Sequence, residues 1–185
     1  MSRFRIGLFA CGAAVVCWLG MMLVHECGHV LGAWATGGQV DRVVLYFTDF
    51  SRTDLLVNPH PLAVVWAGPA FGALFPAAVW GITRCSRRRM VLPQLFAGFC
   101  LLANGLYIGV GSFMKIADPK DMLRDGSPVW TLWAFGLLAT GTGLWVLHAL
   151  GPRLGVRADN PDWHAIEVWV AAGLAASLGL VVALS

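Results

Sequence analysis

Five stretches of this sequence, residues 6–34, 62–82, 91–113, 130–150 and 166–184, are predominantly apolar over the ~20 residues that an α-helix needs to cross a bilayer. That feature excludes most folds that are surrounded by water. Only 12% of the residues are charged and 58% are hydrophobic, whereas a soluble domain carries roughly 25% charged residues. Too little polar side chain is present to coat a water-facing surface, so lipid must be the solvent for much of the chain. The expected fold is an all-α polytopic membrane protein with about five transmembrane helices, forming a single membrane domain over 1–185. The apolar run 6–24 follows Arg3 and Arg5 and exceeds the ~7–15 residue core of a signal peptide, so it reads as a retained span.

The connections between spans differ. Gly37-Gly38 ends the first helix, and Val40-Asp41-Arg42-Val43-Val44-Leu45-Tyr46-Phe47 is rich in β-branched and aromatic residues. It predicts a short strand or β-hairpin between the first and second helices. Asn58-Pro59-His60-Pro61 then enters the second helix as a rigid cap. Arg84, Arg87, Arg88 and Arg89 form a basic turn, and residues 114–128 and 151–165 are polar.

Basic residues gather on the cytoplasmic side of membrane proteins. An N-terminus in the cytoplasm puts eight basic residues there (Arg3, Arg5, Arg84, Arg87, Arg88, Arg89, Arg153 and Arg157) against five on the outer side. The expected setting is a bacterial inner membrane, with the loops at 35–61 and 114–128 sharing the outer face. A net charge of +3 gives no basis for nucleic-acid binding. Cys11, Cys17, Cys27, Cys85 and Cys100 show no paired spacing and read as small hydrophobes rather than a disulfide or zinc framework.

His25-Glu26-Cys27-Gly28-His29 matches H-E-x-x-H within the first helix. Residues four apart share a helical face, so both imidazoles can reach one tetrahedral Zn²⁺. Glu26 is rotated about 100° from His25, close enough to bond the metal's water, whereas Cys27 points to the opposite face. Three ionisable groups in one turn of a membrane span are costly unless paired or metal-bound, which makes them functional candidates. A catalytic zinc usually has a third protein ligand. Topology leaves Asp118, Asp121 and His60 as the main candidates, with Asp125 further from the third span; proximity to that span favours Asp118. His148 and His164 fall on the other side and read as structural. Asn104-Gly105 either pairs with backbone or side chains near the site or helps the helices pack, and packing is favoured because Gly98, Gly105, Gly109 and Gly111 suit close approach. Trp34, Trp66, Trp130 and Trp163 near span ends read as interfacial anchors.

These features resemble the site-2 protease family of intramembrane zinc metalloproteases. There an H-E-x-x-H helix is followed by a short β-hairpin, a span with a Gly-Pro motif, and a span associated with an Asp-Gly motif that supplies the third ligand. The counterparts here are the motif at 25–29, the strand at 40–47, Ala67-Gly68-Pro69, Asn104, and Asp118-Pro119-Lys120-Asp121-Met122-Leu123. The resemblance covers residues 15–125. Two positions depart from it: Gly72 stands where the family has Asn, and Pro119 rather than Gly follows Asp118.

The resemblance implies a metalloprotease-like core over 1–125 with two additional helices over 126–185. It implies zinc on His25, His29 and Asp118, with Glu26 as the catalytic base, and a transmembrane protein as substrate. The strand at 40–47 would pair with the unwound substrate. The small chain and its two departures equally suit a non-proteolytic scaffold, or a subunit that retains the fold beside a membrane-complex partner. A small channel or transporter is disfavoured because no inverted repeat stands out.

Overall fold

The structure is a computed structural model that describes residues 3–49, 51–85, 90–154 and 165–184. Arg87, Arg88, Arg89, Arg157, Trp163 and His164 lie outside the described residues. The elements in chain order are α1 (Arg3–Ala35), β1 (Gln39–Val44), β2 (Arg52–Val57), α2 (Pro61–Arg84), α3 (Val91–Met114), α4 (Ala117–Arg124), α5 (Val129–Leu150) and α6 (Ala165–Leu184). Among the described residues, α1, α2, α3, α5 and α6 are long and apolar enough to cross a membrane. The antiparallel β1–β2 hairpin lies between the first two of them. Both match the expected fold. α4, an eight-residue helix, forms where the sequence predicts only a polar loop.

The helices approach through small residues, as expected where lipid removes the hydrophobic drive for association. Gly28 of α1 faces the α2 backbone: a Cβ there would stand 2.8 Å from the Gly68 Cα. α3 and α5 share the most extensive contact, and a Cβ on Gly136 would meet the Gly109 Cα at 2.7 Å. α6 lies against α1 at Gly12, whose Cβ would meet the Ala171 carbonyl carbon at 2.9 Å. At that end of the bundle Phe9, Ala13, Val91, Leu92, Leu150 and Val168 form an apolar cluster.

After Gly37, at φ 78°, the hairpin folds back along α1. The Trp18 indole Nε1–H donates to the Phe47 carbonyl at 2.8 Å, and the Ser51 hydroxyl donates to the Met22 sulfur at 3.1 Å. Trp18 precedes the end of α1 by 17 residues, so the hairpin tip lies about 25 Å back along the helix at 1.5 Å per residue. Non-helical backbone is tolerated at that depth where it rests on protein or lines a wet cavity. Thr48, Ser51, Arg52, Thr53 and Leu55 of the hairpin do line a cavity of about 890 Å³.

Candidate metal centre

Helical spacing places His25 and His29 on one face of α1, and both are buried at 8% exposure. Their rings meet edge to face with centroids 4.8 Å apart. α4 brings the third group. The chain leaves α3 through Lys115 and Ala117, both at positive φ (52° and 46°), and this turn directs α4 back towards α1. Asp118 Oδ2 then lies 2.9 Å from His25 Nε2 and 3.4 Å from His29 Nε2, while the two Nε2 atoms are 3.1 Å apart. Two ligands of a tetrahedral zinc, each at ~2.0–2.1 Å from it, stand about 3.3 Å apart. The three separations match that edge to within a few tenths of an ångström.

The outer hydrogen bonds fix which nitrogen faces the cluster. The Asn104 amide donates from Nδ2 to the Cys100 carbonyl at 2.9 Å, which turns its Oδ1 towards His25 Nδ1 at 2.8 Å. His29 Nδ1 lies 3.0 Å from the Val64 carbonyl. Both partners are acceptors only, so each Nδ1 carries the proton and each neutral imidazole presents its Nε2 lone pair to Asp118. Such outer partners set the tautomer and orientation of metal-binding histidines. Two lone pairs and a carboxylate oxygen at these distances repel unless a cation or an added proton lies among them. With an added proton on a histidine Nε2 in place of a cation, burial pushes the Asp118 carboxyl up, but the hydrogen bonds from His25 and His29 and their charge outweigh it. The carboxyl is held well below the usual carboxylate range. The Asp118 backbone N–H donates to the Tyr107 hydroxyl at 3.2 Å, and the Tyr107 ring packs edge-on against His25.

Small residues make the cluster possible. A Cβ on Gly68 would overlap the His29 ring, and one on Gly72 would stand 2.9 Å from both polar atoms of the Asn104 amide. Pro69 has no N–H to offer the carbonyl of Val65, one residue beyond the carbonyl that receives His29. Both departures from the family pattern thus have a physical counterpart. Gly72 leaves the room that Asn104 fills from α3. Pro119 sits in the first turn of α4, where its missing N–H is tolerated, and packs on Gly111, whose Cβ would lie 2.7 Å from the Pro119 Cγ.

Glu26 is 4% exposed and lines the same cavity as His25, His29 and Asp118. Its Oε2 accepts the Thr53 hydroxyl of β2 at 2.7 Å. Cys27 points away and is exposed. Among the described residues, His25, His29 and Asp118 are the group of three whose donor atoms lie within 4.8 Å of one another. The other candidates stand outside this group, although Asp121 and Asp125 line the same cavity. Asp121 and Asp125 are bonded to Arg124 at 2.7 and 2.8 Å. His60 is exposed at the N-cap of α2, and His148 is exposed near the far end of α5.

Three further groups belong to the site. Asn104, read as a packing residue, bonds His25. Thr53 and Tyr107 carry no local signal at all, because their roles depend on the hairpin folding back and α4 turning in. The strand that borders the cavity is β2, with Arg52, Thr53 and Leu55, rather than the segment at 40–47. The hairpin reverses the chain, so its returning strand is the one that passes Glu26. No family model, no curated protein and no solved structure matches the chain.

Proposed function

We propose that the protein is an intramembrane zinc metallopeptidase, with His25, His29 and Asp118 as metal ligands and Glu26 as general base. The observation that carries this reading is the convergence of two tautomer-fixed Nε2 atoms and one carboxylate oxygen at 2.9–3.4 Å beside a cavity. Zinc, when bound, lowers the pKa of a coordinated water to about 7 and polarises a carbonyl oxygen.

The chain's own groups do the rest. Glu26, oriented by Thr53, takes the proton of the attacking water and returns it to the leaving amine. Asn104 and the Val64 carbonyl keep both imidazoles in the ligating tautomer, and Tyr107 anchors the backbone of Asp118. The cavity suits an unwound segment of a membrane-spanning substrate. Trp18, Met21, Leu106 and Val110 give it apolar walls, and β2 gives it a strand. An extended peptide in lipid needs hydrogen bonds that its own helix no longer supplies, and strand addition provides them. In the setting proposed, a bacterial inner membrane with the N-terminus in the cytoplasm, the centre lies in the outer half of the bilayer.

Purified wild type and Glu26→Gln, incubated with a single-span peptide substrate, test the reading. Both should hold about one zinc per chain, and only the wild type should cleave. Cleavage by pure Glu26→Gln would sink the mechanism; wild type free of zinc after mild purification would sink the metal centre.

A further inference from the structure

A second cavity, of about 320 Å³, opens at the opposite end of the bundle from the histidines. It lies where α2 ends, α3 begins and α5 ends. Arg84 is the last residue of the α2 span, and Trp145 and Arg153 bracket the end of α5 at Leu150. Arg84, Arg153, Gln94, Thr83, Trp80 and Trp145 line it. The described lining therefore holds two guanidinium groups and no carboxylate.

Both guanidiniums are placed by neighbours. The Arg84 guanidinium carbon lies 5.0 Å from the centre of the Trp80 ring, within the range of a cation–π contact. Arg153 donates to the Gln94 Oε1 at 3.0 Å, and Gln94 Nε2 donates to the Val146 carbonyl at 3.1 Å. Gln94 is 6% exposed. A buried amide in a membrane helix is expensive, and this one spends its acceptor on steering an arginine to the cavity wall.

We infer that this cavity binds the phosphate of an anionic phospholipid headgroup. Guanidinium forks match phosphate oxygens in paired hydrogen bonds, and basic pockets between transmembrane helices are the recurring form of headgroup site. The depth selects lipid over a free anion. The cavity sits at the ends of three spans, where a bilayer places its phosphates. Trp145, 60% exposed on its rim, is the residue type that settles at headgroup level. Acyl chains continue from there along the apolar outer faces of α2 and α5, where Ile82 and Leu144 are exposed.

Native mass spectrometry of the full chain in detergent, titrated with phosphatidylglycerol and with phosphatidylcholine of the same acyl chains, tests the site. The wild type should prefer phosphatidylglycerol by roughly tenfold. Arg84→Gln/Arg153→Gln should bring the two lipids near parity, while Lys115→Gln/Lys120→Gln, with the same charge removed from exposed positions at the other end, should keep the preference. Parity in the wild type, a preference surviving in Arg84→Gln/Arg153→Gln, or equal loss in the control pair each overturns the assignment. Displacement of the lipid by millimolar inorganic phosphate would assign the pocket to a soluble anion and also overturns it. If the glutamine pair does not fold, Arg84→Lys/Arg153→Lys keeps both charges without the forks. It should lose about threefold of the preference, and full retention there counts against the site.

Discussion

Glu26 and Glu167 are both buried carboxylates on membrane-spanning helices, 4% and 0% exposed, and their surroundings separate them. Glu26 stands beside two histidines and an aspartate on the wall of a large cavity, with a hydroxyl from the hairpin on one oxygen. Glu167 is sealed beside an apolar cluster and lines neither cavity. Its Oε2 accepts the backbone N–H groups of Val91 and Leu92 at 2.7 and 2.9 Å. The first amides of a helix have no partner within it and favour a nearby anion. Met90, the N-cap of α3, offers no side-chain bond to them. Glu167 therefore caps α3 from α6 and ties two helices together. Cost alone marks both residues as candidates for function. Access to a cavity and a second set of polar groups distinguish the one suited to chemistry.

The contrast is broken most severely at Asp118. Asp118→Ala should reduce zinc, read by elemental analysis of purified protein, to background and cleavage with it; His60→Ala and Asp121→Ala should retain both. Next comes an exchange between the glutamates. Glu26→Gln should lower the rate by roughly 10²–10⁴-fold, whereas Glu167→Gln should leave the rate per folded molecule unchanged. An equal loss in both would show that the two sites are not distinct in kind.

A smaller effect belongs to the groups that orient the histidines. Asn104→Leu and Gly72→Ala should each weaken zinc binding by about 10–100-fold in competition with a chelator, with unaltered helix content. The smallest change is one of stability alone. Glu167→Ala leaves two buried amides unsatisfied and should cost about 1–3 kcal/mol, measured by unfolding in mixed micelles. Zinc content should not move.

Much of this was legible in the sequence because the signals are local. Hydropathy over about twenty residues marks a span wherever it lies, and a spacing of four places His25 and His29 together on any helix. Proximity to the third span favoured Asp118, and the structure brings that aspartate to the histidines. The rest depends on tertiary approach. In β2 Asp54 is of a type depleted from strands, and Leu55-Leu56 suits a helix as well, so β2 stands out only once β1 pairs with it. Asn104 sits in a glycine-rich span, and nothing in that pattern separates a packing residue from one that meets a histidine on another helix. α4 is short and polar, and its two buried residues depend on other helices: Pro119 packs on Gly111, and Met122 packs among Val65, Ile108 and Leu132.

The turn at Lys115 and Ala117 has a kinetic consequence. A non-glycine residue in the left-handed region costs on the order of 1–2 kcal/mol, and here two of them flank Ile116 while α4 stays docked. Once the cluster holds a metal, letting Asp118 go relaxes that turn. The histidines, fixed on a single turn of α1, have no such release. With zinc bound as proposed, the aspartate would be the first ligand to leave, and the turn would govern how long an ion stays. Glycine takes the same backbone angles without penalty, so Ala117→Gly should slow stripping of the ion by a chelator about fivefold.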